Sequence, residues 1–401
     1  MMSSLWLVVL AQGIILALIV FYWFKYLSGT DKFRYYYLGY IFLITFFTGA
    51  SVNVSQLIPD IFTPVVILCA GLLLFARHLK KRDTVITTVI LIYGIAVHNS
   101  HYLIIAILLG AATLLWLFRQ FRESLSVFTL KLRRILYLWT VLVFSYLMVC
   151  SVHYLMGGGF AFSRSGHIFM MARLVDMGIT EKYLDENCDK YHFRLCDFPE
   201  PFPTLFLWDY KNSPLYKTGG WDSQVNRDEY KAIIRDVMTT PKYLHLYILK
   251  TAESTVKQLF CFDTGDTPRQ VEGSPSYVAV SKYYPVSLRE FKFTKQFAGE
   301  LRFLLLNEKQ KYLVALCLFL SILFLMLPRF PVGFKWVIGF IFLALLANAF
   351  ICAAVSVVVP RYQARVIWLL PLPLLLYAAN REFLVQWVRK IFPNNTLSDH
   401  T

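Results

Sequence analysis

Charge is scarce in this sequence: Asp, Glu, Lys and Arg make up 16% of its 401 residues, against about 25% in soluble proteins. That shortage argues against a set of soluble domains, even though the length would allow two or three of them. Aromatic residues reach 17%, which excludes a disordered chain. With 19 Gly and 16 Pro there is no collagen-like repeat, and the 7 Cys are scattered rather than clustered, so no disulfide-dense scaffold is expected. Also missing are a P-loop, a GxGxxG fingerprint, a GxSxG elbow, a Cys-x-x-Cys pair and a His-Glu-x-x-His helix, so the common nucleotide, hydrolase and zinc signatures are absent.

What the chain does have is apolar length. A bilayer core about 30 Å thick takes about 20 apolar residues of helix. Clear candidates are residues 5–24, 35–57, 61–76, 102–118, 135–156, 312–328 and 334–359, with weaker ones at 84–97, which is short, and 366–380, which carries Pro371 and Pro373. The expected fold class is therefore an all-α polytopic membrane protein of about nine transmembrane helices. It divides into an N-terminal bundle (1–156, six helices), a mostly helical extracytoplasmic domain (157–310), a C-terminal bundle (311–380, three helices) and a cytoplasmic tail (381–401).

Charge orients these segments. Residues 157–310 hold 20 Lys or Arg against 19 Asp or Glu, whereas the rest of the chain holds 20 against 6. Lys and Arg accumulate in cytoplasmic loops, and placing the N-terminus outside puts 17 of those 20 inside; Lys311, Arg361 and Arg365 remain outside. The excess is thus an orienting signal rather than a basic stripe for nucleic acid, and no nucleic-acid partner is expected. Residues 1–6 are uncharged and the first Lys follows the apolar run, so this segment reads as a reversed anchor and not as a cleaved signal peptide. The implied location is an integral, multi-pass position in a membrane, with 157–310 outside.

Within the outer block, residues 167–176 read as an amphipathic helix stopped by Gly178, and Thr180 reads as the N-cap of a second helix. Pro199, Pro201 and Pro203 mark a loop, and residues 228–238 and 243–260 have helical spacing on either side of Pro241. Cys188 and Cys196 face an oxidising side and form a disulfide candidate, the alternative being two buried thiols.

Polar groups at membrane depth are costly and point to function unless something nearby satisfies them. The outer turn 53–60 carries Asn53, Gln56 and Asp60; Asp60 reads either as a helix N-terminal cap or as a general base or metal ligand in an outward cleft. His98 and His101 share one helical face, a spacing compatible with metal binding, or else simply end short helices at the interface. Arg361 and Arg365 flank Tyr362 at i and i+4. Paired guanidinium forks at the outer interface suit a lipid-linked phosphate, and headgroup anchoring is the plainer alternative. In the outer block, Trp208 and Trp221, together with Asp209, Arg164, His167 and Arg173, make an aromatic and charged mixture of the kind that stacks on sugars, the alternative being ordinary core and surface residues of a globular domain.

Several stretches, SLWLVVLAQG (4–13), TGASVNVSQLIPDIFT (48–63), AVHNSHYL (96–103), SGHIFMMARL with YLDENC and YHFRLC (165–196), FLWDY with SPLYKTGGW (206–221) and RYQARVIWLLP (361–371), resemble a group of bacterial polytopic proteins similar to the GT-C class of membrane glycosyltransferases. The resemblance covers nearly the whole chain. It implies a polyprenyl-phosphate sugar as donor, a glycan or protein acceptor, membrane lipid as surroundings, a divalent metal (Mg or Mn) as a possible cofactor, and an acidic residue in the first outer loop acting as base or metal ligand. The relatives carry an additional leading span and an outer Pro-Asp-Thr motif ahead of the stretch matching 4–13. The implied catalytic Asp therefore has no matching position, and either the first hairpin is missing or the start falls at a late Met; Asp60 is the substitute candidate, with His98 and His101 beside it and Asn53, Gln56, Arg361, Tyr362, Arg365, Trp208 and Trp221 as substrate contacts. The alternative function is a non-catalytic membrane scaffold whose outer domain binds a protein or glycan.

Overall fold

The computed structural model describes residues 5–125, 131–203, 205–266 and 269–380; the expected cytoplasmic tail lies outside them. Every regular element among the described residues is helical. The chain divides into two compact units, one of Met1–Ser145, Phe262–Leu345 and Pro360–Thr401, the other of Tyr146–Cys261 and Leu346–Val359. These boundaries differ from those drawn on polarity alone, because residues 262–310 belong with the apolar helices rather than with the polar block.

Along the chain run α1 (Leu5–Leu27), α2 (Phe33–Phe47), α3 (Ala50–Ser55), α4 (Phe62–Phe75), α5 (Lys81–Ala96), α6 (Asn99–Leu117), α7 (Arg119–Leu125) and α8 (Leu132–Leu155). The polar stretch holds α9 (Gly166–Asp176), α10 (Ile179–Tyr191), α11 (Pro214–Lys217), α12 (Gln224–Thr239) and α13 (Pro241–Phe260). Three short helices, α14 (Pro275–Tyr283), α15 (Leu288–Lys292) and α16 (Lys295–Ala298), lead to α17 (Leu304–Met326), α18 (Val332–Val355), α19 (Arg361–Ile367) and α20 (Pro371–Ala379). Among the described residues six helices, with α19 and α20 taken as one, are long and apolar enough to cross a bilayer, which marks a multi-pass membrane protein. The other three expected spans take the form of shorter helices.

The 35–57 stretch shows why. At Thr48 the backbone is extended, and the Gly49 N–H donates to the Gln310 side chain at 2.7 Å, so α2 ends and α3 starts afresh at Ala50. At the centre of the first unit is α4, all of whose residues, Phe62 to Phe75, are buried. Lipid tails are as apolar as leucine, so close packing and internal hydrogen bonds, rather than water exclusion, select its partners. Gly71 permits that closeness, since a Cβ there would stand 2.6 Å from the Trp23 ring and 2.7 Å from that of Phe340. Trp23 fixes the register by donating from its indole to the Leu68 carbonyl at 2.8 Å.

In the second unit the apolar faces of α9, α10 and α12 meet in a core that includes Ile168, Met171, Leu184, Phe206, Tyr230 and Ile233. Ser223 caps α12 by accepting from the Asn226 N–H. The N-cap of α10 is Gly178, in the left-handed region at φ 67°, and not Thr180, which lies one residue inside the helix. Buried Thr180 instead points its hydroxyl at the Met171 sulfur, 3.6 Å away. Cys188 and Cys196 are joined in a disulfide with their Cα atoms 5.9 Å apart.

Candidate functional site

The three polar turns singled out in the sequence meet in the first unit at one end of α4. Pro59 opens a short 3-10 turn, Pro59–Ile61, that leads into α4 and buries Asp60. No side chain caps either helix start by hydrogen bonding, so the cap expected of Asp60 is replaced by an ion pair. The Asp60 Oδ1 accepts from Arg365 Nη1 at 2.5 Å, and its Oδ2 lies 3.6 Å from Arg361 Nε. The two cations differ in setting: the Arg365 side chain is 0% exposed and that of Arg361 is 38% exposed.

Helix α19 makes this possible through its i, i+4 spacing. Both guanidinium carbons lie over the Tyr362 ring, 5.2 Å from its centre for Arg361 and 5.0 Å for Arg365. Such cation–aromatic contacts hold planar guanidinium groups in a defined orientation. Buried Asn53 ties α3 to the same helix by donating to the Ala364 carbonyl at 3.4 Å. Gln56 is half-buried, and its backbone carbonyl accepts from the Gln12 amide at 3.0 Å.

The histidines separate in role. The buried His101 donates from Nδ1 to the Gly94 carbonyl at 2.6 Å, since a carbonyl can only accept, and its Nε2 takes the Thr63 hydroxyl at 2.8 Å. Both ring nitrogens are thereby engaged, and His101 serves as a clamp between α4, α5 and α6. His98 caps α6, its Nδ1 accepting from the Ser100 N–H and hydroxyl. Burial, and then the positive charge of Arg365, push His98 down to about 4, against the pull of Asp60. The imidazole is therefore neutral at physiological pH, an acceptor and not a cation.

One acid at the site was not singled out from the sequence. Asp266 accepts from the Arg361 backbone N–H at 3.1 Å. Although its surface meets solvent, the protein crowded around it raises its carboxyl above the usual range, against the pull of Arg361. Two side chains from the first turns of α17 place it: Asn307 clasps both the N–H and the carbonyl of Thr264, and Gln310 donates to the Phe262 carbonyl at 2.6 Å. Gly265 between them takes φ 106° and lies so close to Phe303 that a Cβ would stand 2.2 Å from its ring. The only hint in the sequence is Asn307 and Gln310, one helical turn apart at the head of an apolar helix.

Among the described residues no three His, Cys, Asp or Glu side chains converge as a metal site. The Asp60 carboxylate is already matched by guanidinium groups, and a divalent ion would have to displace Arg365 from it, so no chemistry is assigned to a metal there. Trp208 and Trp221 belong to the second unit. Their rings are 6.2 Å apart, and Trp221 donates to the Tyr216 hydroxyl at 3.1 Å.

The chain matches no protein-family model, no curated protein and no solved structure.

Proposed function

We propose that this chain is a membrane glycosyltransferase-like protein that moves a sugar from a polyprenyl-phosphate donor to an acceptor hydroxyl at the outer face of a bacterial inner membrane. In this reading the shorter helices α2 with α3, α4, and α5 complete nine crossings, and residues 157–310 are extracytoplasmic. The observation that carries the proposal is the pair of guanidinium groups over Tyr362, one locked by Asp60 and one partly open.

Arg365 with Asp60 is the fixed arm. A buried ion pair of this kind positions charge, and both carboxylate oxygens already face guanidinium groups. Arg361 is the working arm, and its planar fork meets the phosphate oxygens that gain charge as the sugar departs. Asp266 takes the role first considered for Asp60. A carboxyl raised toward neutral pH and open to solvent is the better acceptor for the hydroxyl proton, and it is held beside Arg361. His98, neutral, adds a hydrogen-bonding group without adding positive charge.

The test uses radiolabelled polyprenyl phosphate, the product common to any donor of this class, with protein in nanodiscs. Arg361→Ala should weaken binding about tenfold or more, with Arg361→Lys intermediate because the fork is lost while the charge stays. Unchanged binding in Arg361→Ala removes the phosphate role. A second reading, a non-catalytic scaffold binding protein or glycan, is favoured by one observation: Trp208 and Tyr210 of the second unit are 57% and 60% exposed. Binding of a glycan or protein by the second unit with no sugar transfer by the native chain would favour that reading.

A further inference from the structure

The opposite end of the same helices holds a cavity that the sugar-transfer reading does not use. Asp60 and Arg361 stand at the starts of α4 and α19; Phe75 closes α4, and Asn380 follows the end of α20. Around these far ends lies a space of about 490 Å³, within the ~300–1,000 Å³ typical of ligand sites. Its walls include Leu27, Phe75, Phe334, Val337 and Leu376, with Arg77 at an exposed position on its rim.

Two observations select the occupant. The polar side chains in the wall are already bonded, Tyr26 to the Asp83 carboxylate and the Asn380 amide to the carbonyls of Leu27 and Leu376. A polar molecule inside would find little to bind, whereas a hydrocarbon chain would lose nothing. The cation in the lining is Arg77, and the stretches that supply the lining at this end, residues 25–34, 77–83 and 329–335, hold nine Lys or Arg against Asp31 and Asp83. Of these acids, Asp83 is ion-paired with Lys25 and Arg82. Basic pockets between transmembrane helices are suited to anionic headgroups.

We propose that this cavity is a site for an anionic phospholipid, one acyl chain lying against Phe75, Phe334 and Val337 and the headgroup phosphate meeting Arg77. The site is independent of the chemistry assigned to Arg361.

Native mass spectrometry tests it on the full chain, extracted from phosphatidylcholine vesicles containing a minor share of phosphatidylglycerol. A single phosphatidylglycerol should remain on the native protein. Arg77→Ala should cut its preference over phosphatidylcholine by about fivefold, whereas Val337→Trp, which fills the cavity and leaves Arg77 in place, should remove both lipids. If Val337→Trp fails to fold, Val332→Trp at the more exposed mouth gives the same comparison. Loss of lipid from the Trp variants with the preference lost in Arg77→Ala supports the site. No retained phosphatidylglycerol on the native chain, an unchanged preference in Arg77→Ala, or undiminished retention in a folded Trp variant overturns it.

Discussion

Asp60 and Asp83 are both buried carboxylates of the first unit, at opposite ends of its helices, and they are satisfied in different ways. Asp83 is saturated. Its Oδ1 accepts from Tyr22 at 3.1 Å and Arg82 at 3.2 Å, its Oδ2 from Lys25 at 2.9 Å and Tyr26 at 2.5 Å. Two acceptances per oxygen use the lone pairs of an ionised carboxylate, so Asp83 is a closed joint between α1 and α5. Asp60 is met by charge on both sides, tightly by Arg365 and at longer range by Arg361. A looser, charge-rich arrangement with one partly open cation is suited to exchange a partner for a ligand; a saturated one is not. These two buried acids thus differ in the number and kind of their donors, not in burial.

The largest effect should come from Asp60→Ala. Stranding Arg365 should cost about 3–5 kcal/mol of stability in a denaturant titration in mixed micelles, while Asp60→Leu combined with Arg365→Met should recover most of it. A destabilised double variant would mean that the pair is needed for more than its mutual charge. Next comes Tyr26→Phe, which removes one donor to a buried carboxylate and should cost about 1.5–3 kcal/mol in the same titration without changing polyprenyl-phosphate binding. Acid should separate the two ends as well. The His98 imidazole takes up its proton near 6.5 when unfolded but only at about 4 when folded, so stability falls as pH drops through that window and levels off below it. His98→Gln should flatten this part of the pH profile, and an unchanged slope would show that His98 is not the titrating group. The smallest stability effect belongs to Arg361→Ala, under about 1 kcal/mol, since a half-open ion pair at longer range contributes little. A larger loss would make Arg361 structural, like Arg365.

Much of this was legible in the sequence because the bilayer makes exceptions visible. Apolar runs of helical length marked α1, α6, α8, α17 and α18, and the cost of charge at depth singled out Asp60, His98, Arg361 and Arg365 one by one. Their meeting was not legible: Asp60 and Arg365 are 305 residues apart, and nothing local to either encodes the other. The same distance effect hid the break at Thr48 and Gly49, which depends on Gln310, 261 residues downstream. Asp266 escaped notice because an acid in a polar loop reads as solvated until Asn307 and Gln310 are seen to hold that loop. For His101 the spacing from His98 left a shared ligand and a plain helix end both open, and only the fold shows that Gly94 and Thr63 take both of its nitrogens. The Thr180 cap failed because Gly178, with its left-handed backbone, starts α10 two residues sooner.

The central claim is that Arg361 is the open, outward, ligand-meeting arm while Arg365 is locked. It is tested most directly by Arg361→Cys in a Cys261→Ser background, the remaining free thiols at Cys69, Cys150, Cys317 and Cys352 being buried. Intact cells or oriented vesicles are treated with a membrane-impermeant thiol reagent that attaches an ammonium group. The account predicts labelling from the outer side, slower labelling when polyprenyl phosphate is present, and partial recovery of polyprenyl-phosphate binding once the positive charge is restored. Labelling from the cytosolic side alone, or a labelling rate that polyprenyl phosphate leaves unchanged, would contradict it.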